Sequence, residues 1–154
     1  MTDANVNSDQ EDAPLEIVSK RRFDAPREVV FEAFCNPEHL PHWWGPKGFT
    51  NTFQTFEPRT GGAWRFTMHG PDGATYDLEK QFIEVVAPER VVLQHLQSNH
   101  DFRMHMTFAD VGGKTELTWR MVFQDRAENE NLQDFITEAN EQNFDRLEAY
   151  LGKM

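Results

Sequence analysis

Tyr76, His95 and Glu84 are the side chains of this sequence that could exchange a proton with a bound molecule if the fold turns them inward. Glu84 sits at a strand position, where a surface-facing or arginine-paired carboxylate is the simpler reading. His95 lies in the run Val91 to Leu96, whose apolar residues occur at both parities. The other histidines raise a metal chemistry: His39 and His42 are three apart on a short helix, and His100 and His105 flank a strand start. A structural zinc site draws four ligands with cysteine well represented. Cys35 is alone, so no metal site is assigned and no internal disulfide framework exists. The G-x-S-x-G, P-loop and G-x-G-x-x-G patterns are absent. The sequence therefore assigns no catalytic residue and no cofactor.

Such groups act only where secondary structure positions them. Residues 1–14 are polar and acidic, too poor in apolar surface to offset ordering, and are read as a disordered tail. Leu15 and Ile17 open a first strand running toward Phe23. Asp24-Ala25-Pro26 then starts a helix, because proline at the first helical position loses no needed donor. Asn36-Pro37 repeats the signal, with Asn36 as N-cap of a second short helix reaching Trp43 or Trp44, distorted or partly 3₁₀ at Pro41. From Gly48 to Phe123 the period is two, with turns at Gly61-Gly62, Pro71-Asp72-Gly73, Pro88-Glu89 and Gly112-Gly113. That pattern predicts six strands of an antiparallel meander with one apolar face. Asp125 to Leu151 predicts one long helix whose stripe carries Leu132, Phe135, Ile136, Ala139, Asn143, Leu147, Tyr150 and Leu151. The stripe and the sheet's apolar face each need a partner, and the chain offers them to each other.

Composition bounds the function. The hydrophobic fraction is 38%, concentrated in 13 Phe, 4 Trp and 6 Met, so the core should be aromatic-rich. A formal charge of -11, spread along the chain, repels phosphate, and Lys20-Arg21-Arg22, the only cationic cluster, reads as a solvated run on the first strand. No nucleic-acid partner is expected. No apolar run reaches the length that spans a bilayer, and no leader is read at the N-terminus, so the expectation is a cytoplasmic protein without a membrane span.

The element order, with Ala25-Pro26, Asn36-Pro37-Glu38-His39-Leu40, Trp43-Trp44-Gly45-Pro46, Gly61-Gly62-Ala63-Trp64, Met68-His69-Gly70-Pro71-Asp72-Gly73, Glu84 to Arg90, Asp110 to Thr115 and Phe144 to Leu151, resembles the START/SRPBCC superfamily. Within it the chain is most similar to the activator of heat-shock-protein-90 ATPase homologue branch, over about residues 15–152. The resemblance implies an α+β helix-grip fold: a curved seven-stranded antiparallel sheet wraps a long C-terminal helix, and two short helices follow strand one. It also implies an elongated cavity for lipids, hormones or polyketides, or a chaperone partner in a stress-response setting. No counterpart of the co-chaperone's separate N-terminal domain is read in these residues. Two departures stand out: Pro41 interrupts the short helix, and Lys80 replaces a frequent glycine, where it would alter the sheet's curvature or line the cavity mouth.

A curved sheet cannot press its whole concave face against a cylinder, and what remains is either filled by side chains or left for a ligand. Trp64, Phe66, Met68, Tyr76, Leu78, Met104, Met106, Trp119 and Met121 are placed to line that space, with Trp44 as an end wall. Ile136, Asn140 and Asn143 would face it from the helix, and His95 from the sheet. For Asn143 a hydrogen bond to backbone or Tyr76 competes with ligand contact. Methionine suits apolar partners of varied shape, so the expected partner is a small apolar molecule. The alternatives are a chaperone-accessory domain and an enzyme acting on a polyketide-like substrate.

Overall fold

Apolar–polar alternation gives a strand one face that avoids water. The computed structural model, which describes residues 13–96 and 101–154, joins seven such strands into one antiparallel sheet. They are β1 (Leu15–Phe23), β2 (Thr50–Phe56), β3 (Ala63–His69), β4 (Thr75–Val86), β5 (Arg90–His95), β6 (Phe102–Val111) and β7 (Lys114–Phe123). The order β1-β7-β6-β5-β4-β3-β2 puts β1 and β2 at the edges. Register shifts between Phe53 and Thr55 and between Phe82 and Glu84 insert one extra residue each, Gln54 and Ile83. Such bulges bend and twist a strand. Lys80 itself sits in regular register with Trp64 and His95, so the irregular bends lie elsewhere.

Helix α1 (Arg27–Cys35) follows β1, and the Pro26 carbonyl accepts the N–H groups of Val29 and Val30 at 3.0 and 3.1 Å. Pro26 is thus the cap and not the first helical residue, and the helix starts one residue later than expected. The second short helix shrinks to a 3₁₀ turn, Leu40–His42. The Asn36 carboxamide oxygen accepts the Glu38 N–H at 2.8 Å, which makes a local turn of the segment the sequence had read as a helix start.

The C-terminal helix is also divided: α2 (Arg126–Asn129), a 3₁₀ turn (Glu130–Leu132) and α3 (Gln133–Leu151). Asp125 caps α2 by accepting the Glu128 N–H at 2.9 Å, and the buried Asn129 side chain donates back to the Asp125 carbonyl at 2.7 Å. Such local side-chain bonds compete with helix continuation. Leu132 and Phe135 were expected on the buried stripe, yet both are exposed, Phe135 by 71%. The face α3 buries is Asn140, Asn143, Phe144 and Leu147. Its placement follows from β1: Arg21 bonds Glu141 at 2.9 Å and Asp145 at 2.7 Å, and Phe144 meets Phe23 and Trp119 edge-on. The cationic cluster is therefore partly a docking device and not only a solvated run.

The expected acidic tail falls, up to residue 12, outside the described residues. Ala13 and Pro14 offer their carbonyls to Arg126. Among the described residues no helix is long and apolar enough to cross a membrane. Trp64, fully buried on β3, is the hub of the aromatic core.

Candidate functional site

The concave face of β3, β4, β6 and β7 does not meet α3 flush, and a hollow of about 230 Å³ is left between them. Met104, Trp119 and Met121 form its floor on β6 and β7, with Met68 and Leu78 on β3 and β4. Trp44 closes one end, and Ala139, Asn140 and Asn143 come down from α3. His95 completes the set of expected residues that border this space, joined by Lys80, Phe102, Gly45 and Pro46. Trp64, Phe66 and Met106 are buried beside it in the core. Ile136 is partly buried against the same core and does not border the hollow.

An outer hollow of about 510 Å³ adjoins the first through the shared residues Pro46, Met68, Leu78 and Ala139. Tyr76 belongs here, 47% exposed and beside Phe49 at 6.2 Å between ring centres. Phe135, standing clear of the sheet, forms its opposite rim.

Among the described residues the one cationic side chain on the inner wall is Lys80, 5% exposed. Its Nζ is hydrogen-bonded to His95 Nδ1 at 3.3 Å and lies 4.7 Å from the centre of the Phe102 ring. His95 stacks on that same ring. Burial disfavours the charged amine and lowers its pKa from 10.5 to about 7. Alternation carried a signal for this residue, because Lys80 shares parity with Leu78 and Phe82 on β4. Phe102 likewise shares parity with Met104.

Trp44, Gly45 and Pro46 form a strap across the end of the hollow, and α3 holds it by its carbonyls. Asn143 donates to Trp43 O at 2.8 Å and accepts the Gly45 N–H at 3.1 Å. Arg146 Nη1 donates to the carbonyls of Trp44, Gly45 and Pro46 at 3.0, 3.0 and 3.1 Å, and Nη2 to that of His42 at 3.2 Å. Gly45 adopts φ +99°, a conformation L side chains rarely take, so another residue there would be strained, while the Met68 Cε, 2.6 Å from a built Cβ, could swing aside. Asn143 therefore spends its amide on backbone. Truncation to alanine would orphan a buried carbonyl and a buried N–H. Asn143→Ala should cost about 2–3 kcal/mol in urea unfolding, and a cost below about 0.5 kcal/mol would show that the strap is held without it. Asn140 donates to Ser19 Oγ at 3.2 Å and to Met121 Sδ at 3.4 Å.

The remaining candidates lie apart. Glu84 is half-buried and paired with Arg90, and does not border the hollow. His39 Nδ1 meets the Tyr150 hydroxyl at 2.6 Å while His42 stacks on the same ring. These two histidines thus fasten the end of α3. His105 is held below its usual pKa by burial and by Arg120 and Arg103. His100 lies outside the described residues. Burial, with Glu32 nearby, pushes the Cys35 thiol up to about 12, which leaves it unreactive at neutral pH.

A family model for activator of Hsp90 ATPase homolog 1-like proteins matches residues 24–152. No curated protein matches the chain in sequence. Solved structures do match in fold. A Rhodobacter sphaeroides protein superposes with TM-score 0.82 at 24% identity, over 90% of this chain and 93% of that one. A Nitrosomonas europaea protein gives 0.81 at 18% identity, over 90% and 95%. An Arthrobacter aurescens protein gives 0.81 at 22% identity, over 94% and 88%.

Proposed function

This chain belongs to the activator of Hsp90 ATPase homolog 1-like family, and from that membership, which supports a ligand-binding or chaperone-interaction domain in general, we propose that it binds a small hydrophobic molecule between the sheet and α3. The observation that carries the reading is the inner hollow of about 230 Å³, walled by Met68, Met104, Met121, Trp44 and Trp119. An engineered cavity of roughly 150 Å³ already accepts benzene, so this space suits a molecule larger than one six-membered ring. Burying apolar ligand surface would contribute about 25 cal/mol per Å² before the cost of association. Thioether side chains adapt to different shapes without leaving low-energy rotamers. The outer hollow beneath Phe135 and Tyr76 is the proposed way in. Binding alone accounts for these features, and no reaction is assigned to the site.

The test has two arms. Mass spectrometry of organics released from the denatured protein should find an apolar compound, or the purified chain should bind octanol in calorimetry. Ala139→Trp, at the wall shared by both hollows, should weaken that binding at least about tenfold with circular dichroism unchanged. If no organic is released and octanol fails to bind the parent chain, the ligand reading is wrong. The chaperone-interaction reading, for which exposed Phe135 and Leu132 offer contact surface, would then stand in its place.

A further inference from the structure

We propose that the ligand of the inner hollow is an amphipathic carboxylic acid, its apolar body lying along Met104, Met121 and Trp119 and its carboxylate against Lys80 Nζ. This inference deepens the apolar-ligand reading and rests on it. An ammonium group shut away from water needs a counter-charge or else loses its proton. Among the described residues no carboxylate forms an ion pair with Lys80, and burial is the sole cause of its lowered pKa. Its partners are the His95 imidazole, through Nδ1, and the face of Phe102. Neither supplies a negative charge.

The other polar atoms bordering the space point the same way. Trp119 is buried, its ring borders the hollow, and its indole N–H has no acceptor. Asn140 Nδ2 donates one hydrogen to Ser19 Oγ at 3.2 Å and the other only to the Met121 sulfur at 3.4 Å, a weak acceptor that a ligand oxygen would outcompete. A wall of donors with no fixed anion fits a ligand whose head only accepts hydrogen bonds, and a carboxylate is the smallest common group of that kind. An alcohol satisfies the donors but not the charge. The outer hollow carries one charge of each sign, Lys47 and Glu138, so its rim does not exclude an acid.

The titratable groups facing the proposed head are Lys80 from β4 and His95 from β5. The strap, α3, β6 and β7 contribute none to the inner wall among the described residues. Acid binding should therefore follow the Lys80 proton. A bound carboxylate favours the charged amine, so affinity is flat below about pH 7 and falls, by up to tenfold per pH unit, as the free amine deprotonates above it. The alcohol should show no such fall.

Calorimetric titration of the full chain with octanoic acid and with 1-octanol, at pH 6.5 and pH 8.5, tests this. The expected result is an acid bound about 10–100-fold more tightly than the alcohol at pH 6.5, with the preference shrinking at pH 8.5. Lys80→Met should erase the preference, read as the ratio of acid to alcohol affinity in the variant. Equal binding of acid and alcohol by the parent chain would overturn the acid inference and leave the apolar-ligand reading intact. So would an acid preference that survives in Lys80→Met. Failure of both probes would overturn the two readings together. Should Lys80→Met not fold, the pH dependence of the parent chain decides alone.

Discussion

Replacing Lys80 with methionine is expected to stabilise the free protein by roughly 2–3 kcal/mol at pH 7, although the residue is 5% exposed and interior substitutions usually destabilise. The amine titrates at 10.5 in the open chain and near 7 when folded. That displacement is equivalent to at most roughly 5 kcal/mol against folding at neutral pH. Contact with the Phe102 face 4.7 Å away returns about 2 kcal/mol of it when Lys80 is charged. Methionine fills a similar volume and carries no charge to desolvate. For a domain of this length the gain would appear as a rise in Tm of about 4–12 °C.

The pH dependence separates this cause from ordinary repacking. The folded pKa is depressed, so between about pH 7 and pH 10.5 the unfolded chain holds a proton that the folded one has lost. Stability of the parent rises with pH through that window. The advantage of Lys80→Met should be largest below about pH 7 and close as the pH approaches 10.5. Urea unfolding at pH 6, 8 and 10 checks it. A variant less stable than the parent, or a gap that does not change with pH, would show that the amine is accommodated without penalty. A residue that destabilises its own fold is often kept for what it does in the site.

Trp64→Ala should lose about 3–5 kcal/mol, a large part of the stability a single domain possesses. Its ring is stacked on Phe66 at 4.3 Å and meets Trp44, Phe53 and Phe56 at 5.2, 5.5 and 5.6 Å. Alanine would remove all of these and leave a void inside rigid neighbours. Trp64→Phe is the instructive contrast. The indole N–H is buried without an acceptor, so deleting it relieves an unmet donor and offsets part of the lost area. It should cost no more than about 1–2 kcal/mol. Chemical unfolding followed by circular dichroism measures both. An alanine variant within about 1 kcal/mol of the parent would mean that the aromatic cluster closes over the gap, and that the core is softer than its packing implies.

The sheet was the most legible part of the molecule because one signal, alternation, acts on every strand, and the turns carry glycine where the backbone requires positive φ. Met68, Leu78, Met104, Trp119 and Met121 follow from that parity and border the hollow. Trp64, Phe66 and Met106 share the parity and do not, since the pattern says which face a residue takes but not how far along the face the helix lies. Helix boundaries were less legible. Asn36 and Asn129 both divert the chain through side-chain bonds to nearby backbone, which a 3.6-residue period does not register. Phe135 falls on the expected stripe, yet α3 is fixed to the sheet by Arg21 and Phe144, beyond the reach of any local pattern. Asn143 was legible as a buried amide, whereas its partners, Trp43 O and Gly45 N, are a hundred residues and 98 residues away in sequence.

The guanidinium of Arg146 gathers four successive-segment carbonyls from His42 to Pro46, and this has a mechanical consequence. Strap and rod travel together, so the end plate of the hollow has no hinge of its own. Widening the hollow would move α3 and the strap together against the strands, and would load the Arg21 ion pairs to Glu141 and Asp145.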